Sequence, residues 1–147
     1  MSKNNRRKKG FSRNENTREE RKVSSIQELL TFSFKDLDET QPKSSPQTIK
    51  LWEEEKILKS LVQRLRDLSK LTRDEAQKQQ QIKIYDDFPV KTGFFHPKHV
   101  DNNVAWGVIK AVGGQKATVA GYIVENTFYI VFFDKDHQFW ISKKKNT

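Results

Sequence analysis

Cysteine is absent from this chain of 147 residues, which excludes disulfides, thiolate chemistry and cysteine-ligated zinc. No apolar run approaches the roughly 20 residues that a membrane span needs. The first residues are charged and lack an apolar stretch, so they do not form a secretory signal. Phosphate-binding glycine loops and the G-x-S-x-G motif are missing as well. The sequence therefore predicts a cytoplasmic protein without membrane contact and without a cofactor.

The net charge of +9 is confined to the two ends of the chain. Residues 1–22 hold nine Lys or Arg and three Glu, and residues 143–145 are all Lys. The residues between these ends are close to neutral. A basic segment attracts phosphate without specificity, and that attraction weakens steeply with salt. The alternative is a solvated terminus that keeps a small protein soluble.

Composition divides the chain into four segments. Residues 1–24 hold too few apolar side chains to fold, and we predict a disordered basic arm. Residues 25–45 predict a short helix capped by Ser25, then an extended piece and a proline-containing loop. Residues 46–142 form the predicted folded domain, and residues 143–147 are a basic tail.

Two helices are predicted at the start of this domain. Between residues 45 and 71, leucines recur every seven residues at positions 51, 58 and 65, and the opposite face is charged. That pattern favours one long amphipathic helix. Thr72, with Glu75 three residues later, predicts a capping box that opens a second, shorter helix. The pair reads as a helical hairpin.

Beyond Gln81 the hydrophobic period changes from helical spacing to two. After an alternating segment at 82–89, which stops at Pro89, four strands joined by tight turns are predicted at 104–112, 116–124, 127–133 and 138–142. A helical hairpin packed on one face of this four-stranded antiparallel sheet gives an α+β fold.

The strand at 127–133 is apolar on both faces. Alternation places Phe128, Ile130 and Phe132 on one face, and it places Tyr129, Val131 and Phe133 on the other. This favours a central strand covered on both sides. The alternative exposes aromatic side chains on which a base could stack. The candidates are Tyr122, Tyr129, Trp106 and Trp140.

The turn at 134–138, Asp-Lys-Asp-His-Gln, has two interpretations. In the first, Asp134 accepts hydrogen bonds from the turn backbone and His137 caps the next strand. In the second, His137 transfers protons near neutral pH, and neighbouring lysines bind a phosphate. A three-histidine metal site with His96 and His99 is not predicted, because their loop does not place them on one face.

The order of elements over residues 46–142 resembles the RelE/ParE superfamily of small bacterial toxins. That family often carries a D-x-x-H-x-x-x-Y-like pattern, which Asp134 and His137 match, and Phe139 and Trp140 stand near the aromatic position. The chain departs from the family at Gln138, where many nucleases have arginine. It also has only Lys116 where the preceding strand usually offers arginine, and small toxins lack its extension over residues 1–45.

The resemblance implies a toxin or toxin-derived protein that is held by a cognate antitoxin protein. It would be a metal-independent endoribonuclease that acts on mRNA at the ribosome or, in the ParE branch, a gyrase poison. The stretches "FSFKDLD" and "HQFW" also resemble chains of mobile elements to which no function is attached. The endoribonuclease assignment would make His137 the general acid or base, put Lys116 and Lys143 on phosphate, and put Tyr122 or Tyr129 near the base. Further substrate contacts would come from Lys135, Lys144 and Trp140. The alternative function is a non-enzymatic RNA- or protein-binding module that uses the basic arm and the sheet.

Overall fold

A computed structural model describes residues 28–114 and 116–141. In chain order its elements are β1 (Thr31–Ser33), α1 (Ile49–Glu54), α2 (Ile57–Leu68), α3 (Arg73–Lys78), β2 (Ile82–Asp86), β3 (Ala105–Gly113), β4 (Ala117–Val124) and β5 (Thr127–Asp134). The strands form one sheet in the order β1-β5-β4-β3-β2. Strands β2 to β5 are antiparallel neighbours, and β1 pairs with β5 in parallel. The α+β class is confirmed, but the sheet is mixed and has five strands. Among the described residues, no helix is long and apolar enough to cross a membrane.

The predicted long helix is two helices. Lys56 adopts a left-handed conformation with φ of 62°, which ends α1 and lets α2 start in a new direction. This break allows both helices to bury a face against the sheet. Trp52 of α1 is fully buried and stacks on Phe133 of β5, with ring centroids 4.2 Å apart. On α2, the buried side chains include Leu61, Leu65 and Leu68.

The capping box that opens the last helix is confirmed. The Thr72 side chain accepts a hydrogen bond from the Glu75 backbone N–H, and the Glu75 carboxylate accepts one from the Thr72 N–H. Two of the free donors at the helix start are thereby satisfied. The helix ends at Lys78.

The strand expected at 138–142 does not form over its described residues, 138–141. Here the chain leaves the sheet, and β1 occupies the free edge of β5 instead. The helix expected from Ser25 is likewise not seen at residues 28–30, where Leu30 N–H donates to the Leu71 carbonyl oxygen at 2.8 Å. The predicted disordered arm at 1–24, Ser25 itself and the basic tail at 143–147 lie outside the described residues.

Both faces of the sheet are covered. On one face, which we call the helix face, the three helices pack on apolar side chains of β2 to β5. The opposite face, the loop face, is covered by the loop that joins β2 to β3 and by the residues after β5. Phe94, Val100 and Phe139 from these segments pack there on Trp106 and Phe132.

A β-bulge in β5 changes which of its side chains share a face. Ala120 pairs with Phe132 and Gly121 pairs with Ile130, so Val131 is an extra residue in its strand. Beyond the bulge the alternation is shifted by one residue. Phe132 therefore lies on the loop face and Phe133 on the helix face, opposite to the prediction from simple alternation.

Candidate functional site

The segment that follows β1 runs over the loop face and brings a carboxylate to β4. Asp38 N–H donates to the Val131 carbonyl oxygen at 2.7 Å, which holds the segment over β5. The Tyr122 hydroxyl donates a hydrogen bond to Oδ2 of Asp36. Lys35 Nζ lies 3.0 Å from the same oxygen. Asp36 is only 8% exposed, so these two donors stabilise a carboxylate that is largely removed from water.

Tyr122 and Tyr129 lie side by side at this end of the sheet. Their rings are stacked with centroids 4.7 Å apart and planes 11° apart. Lys35 Nζ is 5.3 Å from the centroid of the Tyr129 ring, within cation–π range. His99 donates from Nε2 to the Asp36 carbonyl oxygen at 2.9 Å. We call Lys35, Asp36, His99, Tyr122 and Tyr129 the tyrosine cluster.

The groups of this cluster have shifted acidities. Burial alone raises the pKa of Asp36, but the Tyr122 hydrogen bond and the Lys35 ammonium outweigh it, so the net pKa is lowered from 3.8. Burial, followed by the hydrogen bond to Asp36, raises the pKa of Tyr122 well above 10.0. Tyr122 therefore keeps its proton at neutral pH. It acts as a hydrogen-bond donor and is unsuited to removing a proton from a substrate.

We expect Tyr122→Phe to lower the free energy of unfolding at neutral pH by about 2 kcal/mol, because a buried hydrogen bond to a charged group is lost. The parent should lose stability above pH 10.0, where tyrosine ionises in the unfolded chain but Tyr122 does not. It should also lose stability below pH 3.8, where Asp36 takes up protons on unfolding. Both losses should shrink in the variant, as urea unfolding across pH would measure.

Tyr129→Phe is the matched control for this experiment. Its hydroxyl makes no hydrogen bond with the described residues, while its ring stack on Tyr122 would be retained. The control should follow the parent at both extremes of pH. Equal pH profiles for the parent and Tyr122→Phe would show that the Tyr122–Asp36 hydrogen bond does not stabilise the fold.

The turn after β5 is built around Asp134, which is 3% exposed. Its Oδ1 accepts from Gln138 N–H and its Oδ2 from Phe139 N–H, both at 2.8 Å. The Thr118 hydroxyl donates to Oδ2 at 3.3 Å. Burial raises the pKa of Asp134, and the two backbone hydrogen bonds oppose that rise. These contacts agree with the interpretation of Asp134 as a turn-forming aspartate.

His137 occupies a left-handed position in this turn, with φ of 58°. Its backbone N–H donates to the Asp134 carbonyl oxygen at 3.4 Å. No strand follows it in the described residues, so it does not cap one as expected. The side chain is half-buried, and it lies close enough to Asp134 to oppose the rise that burial gives the pKa of that carboxyl.

The lysines that were expected around His137 lie in different environments. Lys135 Nζ lies 2.7 Å from Glu55 Oε1, and that hydrogen bond raises the pKa of the lysine. Its charge is thus already matched by a carboxylate. Lys116 is exposed in the turn before β4. Lys143 and Lys144 lie outside the described residues.

Trp140 is positioned by an aromatic neighbour. Its ring stacks on Tyr85 of β2, with centroids 3.9 Å apart and planes 14° apart. The ring face turned toward Tyr85 is therefore occupied. Trp106 is almost fully buried in the loop-face core, which removes it from the candidate stacking residues.

The predicted catalytic residues lie at two ends of the sheet. Tyr122 and Tyr129 are paired at one end of β4 and β5, while Thr118 pairs with Asp134 at the other. Asp134 is the fifth residue after Tyr129 in β5, a distance of roughly 15 Å. Since His137 follows Asp134 in a tight turn, the strands place it away from the two tyrosines.

The tyrosine cluster also contains Lys35 and Asp36, which the sequence did not single out, and His99, which was considered only as a metal ligand. Lys35, Asp36 and His99 come from a segment preceding the helices and from a long loop, 63 residues or more apart in the chain. Nothing in their spacing signals that they meet. Alternating aromatics beside acidic residues in "FSFKDLD" are the one local hint of a segment laid on the core.

Metal binding has no support in the described part of the chain. Over residues 28–114 and 116–141, no group of three or more His, Asp or Glu side chains is arranged to hold an ion. His96 Nδ1 donates to the Pro97 carbonyl oxygen at 2.9 Å, and His99 is bonded to the backbone of Asp36. The two loop histidines thus serve separate contacts.

Comparison of this chain with protein-family models, with curated proteins and with solved structures finds no match.

Proposed function

We propose that this protein is a non-enzymatic RNA-binding module whose basic terminal segments hold the phosphate backbone. The observation that carries the proposal is the distribution of charge. The described residues contain sixteen Lys or Arg and sixteen Asp or Glu, so their formal charges cancel. The whole net charge of +9 therefore belongs to residues 1–27 and 142–147. Charge of one sign concentrated in this way favours a polyanion over a neutral partner.

The covered sheet supports assigning the binding to these segments. A sheet that binds single-stranded RNA across its surface needs exposed aromatic side chains on one face. Here both faces are packed, by the helices on one side and by loops on the other. The folded body then serves as the scaffold from which the basic segments extend.

The endoribonuclease activity implied by the resemblance remains a prediction, and so do the ribosome and the antitoxin as partners. Metal-independent RNA cleavage needs a proton-transfer group and charge stabilisers around one phosphate. The candidates here are divided between the tyrosine cluster and the turn that carries His137. Lys135, one of the expected phosphate ligands, is bound to Glu55. Because the candidate residues are divided in this way and Lys135 is paired with Glu55, we prefer RNA binding without cleavage as the proposed function.

Deleting residues 1–24 should weaken binding to a uridine-only RNA oligonucleotide by about 100-fold or more at low salt. The segment carries nine Lys or Arg, and each phosphate contact that is lost also lowers the salt slope by about 0.7 for a single strand. Fluorescence anisotropy titrations at several salt concentrations measure both quantities. Because the deleted residues precede the described fold, the melting temperature should change little.

Two triple variants that remove the same amount of charge from different places test whether the location of the charge matters for RNA binding. Lys143, Lys144 and Lys145 replaced together by Gln should weaken binding and reduce the salt slope. The same replacement at Lys50, Lys59 and Lys78, which are exposed on the helices, should change neither. Equal losses from both triple variants would overturn the proposal. Shortening of the RNA by the parent would favour the endoribonuclease instead.

A further inference from the structure

Phe95 is the most exposed aromatic side chain among the described residues, at 61%. Its neighbour Phe94 is 2% exposed and packs in the loop-face core, with its ring 4.8 Å from that of Phe132. Consecutive phenylalanines thus point in opposite directions, one into the core and one into solvent. The buried ring fixes the position of the loop at the point where the exposed ring leaves it.

A buried glutamine holds the backbone of Phe95 in place. Gln41 Nε2 donates to the Phe95 carbonyl oxygen at 3.0 Å, and Phe95 N–H donates to Gln41 Oε1 at 2.5 Å. Gln41 is 8% exposed, and its Nε2 also donates to Asp38 Oδ2 at 3.0 Å. One side-chain amide therefore satisfies both backbone groups of Phe95. The exposed ring stands on an ordered backbone, which reduces the entropy that a ligand must offset on binding.

Positive charge accompanies the exposed ring. Lys43 Nζ lies 5.7 Å from the centroid of the Phe95 ring, and the Lys43 side chain is exposed. The loop at 87–104 has Lys91 and Lys98 against Asp87 and Asp101, so the positive charge beside the ring is that of Lys43. An exposed ring with an ammonium group 5.7 Å from its centroid suits a nucleotide, which presents a flat base beside a phosphate. A protein-binding centre would instead be expected to surround the ring with further apolar surface.

We propose that Phe95 is a stacking site for one base of single-stranded RNA and that Lys43 contacts the adjacent phosphate. This inference rests on the proposed function, since the basic terminal segments would bring the strand to the protein. Stacking on a phenylalanine is tolerant of base identity, because every base has a π-face. It requires an unpaired base, because a duplex covers the base faces. The site thus assigns single strands as the substrate class.

The test compares the full-length parent with Phe95→Leu and Phe95→Trp, again with the uridine-only oligonucleotide. Leucine keeps an apolar side chain but lacks a π-face, and we expect binding about tenfold weaker. Tryptophan should bind at least as tightly as the parent. The salt slope should stay unchanged in both variants, because neither removes a phosphate contact. Phe34→Leu, at the other phenylalanine that is exposed among the residues that the structure describes, is the matched control and should bind like the parent.

Three outcomes would overturn the stacking site. If Phe95→Leu binds like the parent while the 1–24 deletion does not, the proposed function stands and the ring belongs to a protein contact. If Phe95→Leu weakens binding to duplex RNA as much as to the single strand, the ring does not stack on an unpaired base. If the parent itself fails to bind RNA, the proposed function fails and the stacking site fails with it.

Discussion

Gly121→Ala is expected to destabilise the protein by about 4 kcal/mol or more, a loss large enough to unfold many small domains. A Cβ atom at this position would lie 1.9 Å from the carbonyl oxygen of Tyr129 and 2.9 Å from its carbonyl carbon. Both atoms belong to backbone in the middle of a sheet and cannot move aside as a flexible side chain could. The bulge at Val131 lies next to this close approach, which glycine alone permits.

Gly114→Ala provides the control for this substitution. Gly114 lies in a turn with φ of +73°, and an added Cβ would meet nothing within 4 Å. Its cost is limited to the left-handed backbone, about 1 kcal/mol. Urea unfolding, or the yield of folded protein where a variant is too unstable, measures the contrast. Similar stabilities for the two variants would mean that β4 and β5 are not as close at Gly121 as described.

Asp134→Ala is expected to cost about 3 kcal/mol, because it leaves two backbone N–H groups without their acceptor in a buried turn. One of them belongs to Phe139, whose side chain is fully buried in the loop-face core. The residues after β5 should therefore lose their attachment to the sheet. Chemical denaturation gives the overall loss. Amide hydrogen exchange should show faster exchange at Gln138 and Phe139 than in the parent.

His137→Ala tests whether the histidine side chain contributes to the stability of the turn or to the function of the protein. The His137 side chain is half-buried, and its removal leaves both hydrogen bonds of the Asp134 carboxylate intact. The free energy of unfolding should therefore change by no more than about 1 kcal/mol. RNA binding should also be unaffected under the proposed function. A large loss of stability in this variant, with little loss in Asp134→Ala, would reverse the roles that we assign to the two residues.

Local signals predicted those parts of the fold that local interactions determine. The capping box at Thr72 is one example, because both partners lie within three residues of each other. Strand-like patterns and turn signals likewise located β3 to β5, and β2 lies within the alternating segment at 82–89. The break at Lys56 left no signal, since the leucine spacing continues across it. The bulge at Val131 was equally hidden, because an extra residue is recognised only when the partner strand is known.

The edge of the sheet shows a different limit. Residues 138–142 read as a strand by composition, but the Asp134 carboxylate takes the N–H groups of Gln138 and Phe139. Those donors are then not available to a sheet ladder. The free edge of β5 is occupied by β1 instead. Their parallel pairing joins residues 96 positions apart, such as Thr31 and Thr127. No periodicity within the chain specifies such a partner.

Prediction of the candidate site met the same limit. Sequence reasoning selected Tyr122 and Tyr129 as aromatic candidates, and they do stack on each other. It could not anticipate that Asp36, 86 residues earlier, would accept a hydrogen bond from the Tyr122 hydroxyl. Phe95 was not among the candidates, and no local pattern distinguishes it from the neighbouring phenylalanine. The exposure of Phe95 depends on Gln41, 54 residues away in the chain.

The parallel strand β1 has a consequence for how a long ligand could be held. Glu28 and Leu29 contact Asn126 beside this edge of the sheet, whereas Trp140 stacks on Tyr85 of the opposite edge strand. Four interstrand spacings separate the edges, about 19 Å. Glu28 and Trp140, near the two ends of the described chain, therefore lie by opposite edges of the sheet, and the sequence continues from each end into one basic segment. An RNA strand that reaches across the sheet gains avidity, because the second attachment is intramolecular and governed by effective concentration. Short anions would contact one basic segment at a time and would therefore bind without this avidity.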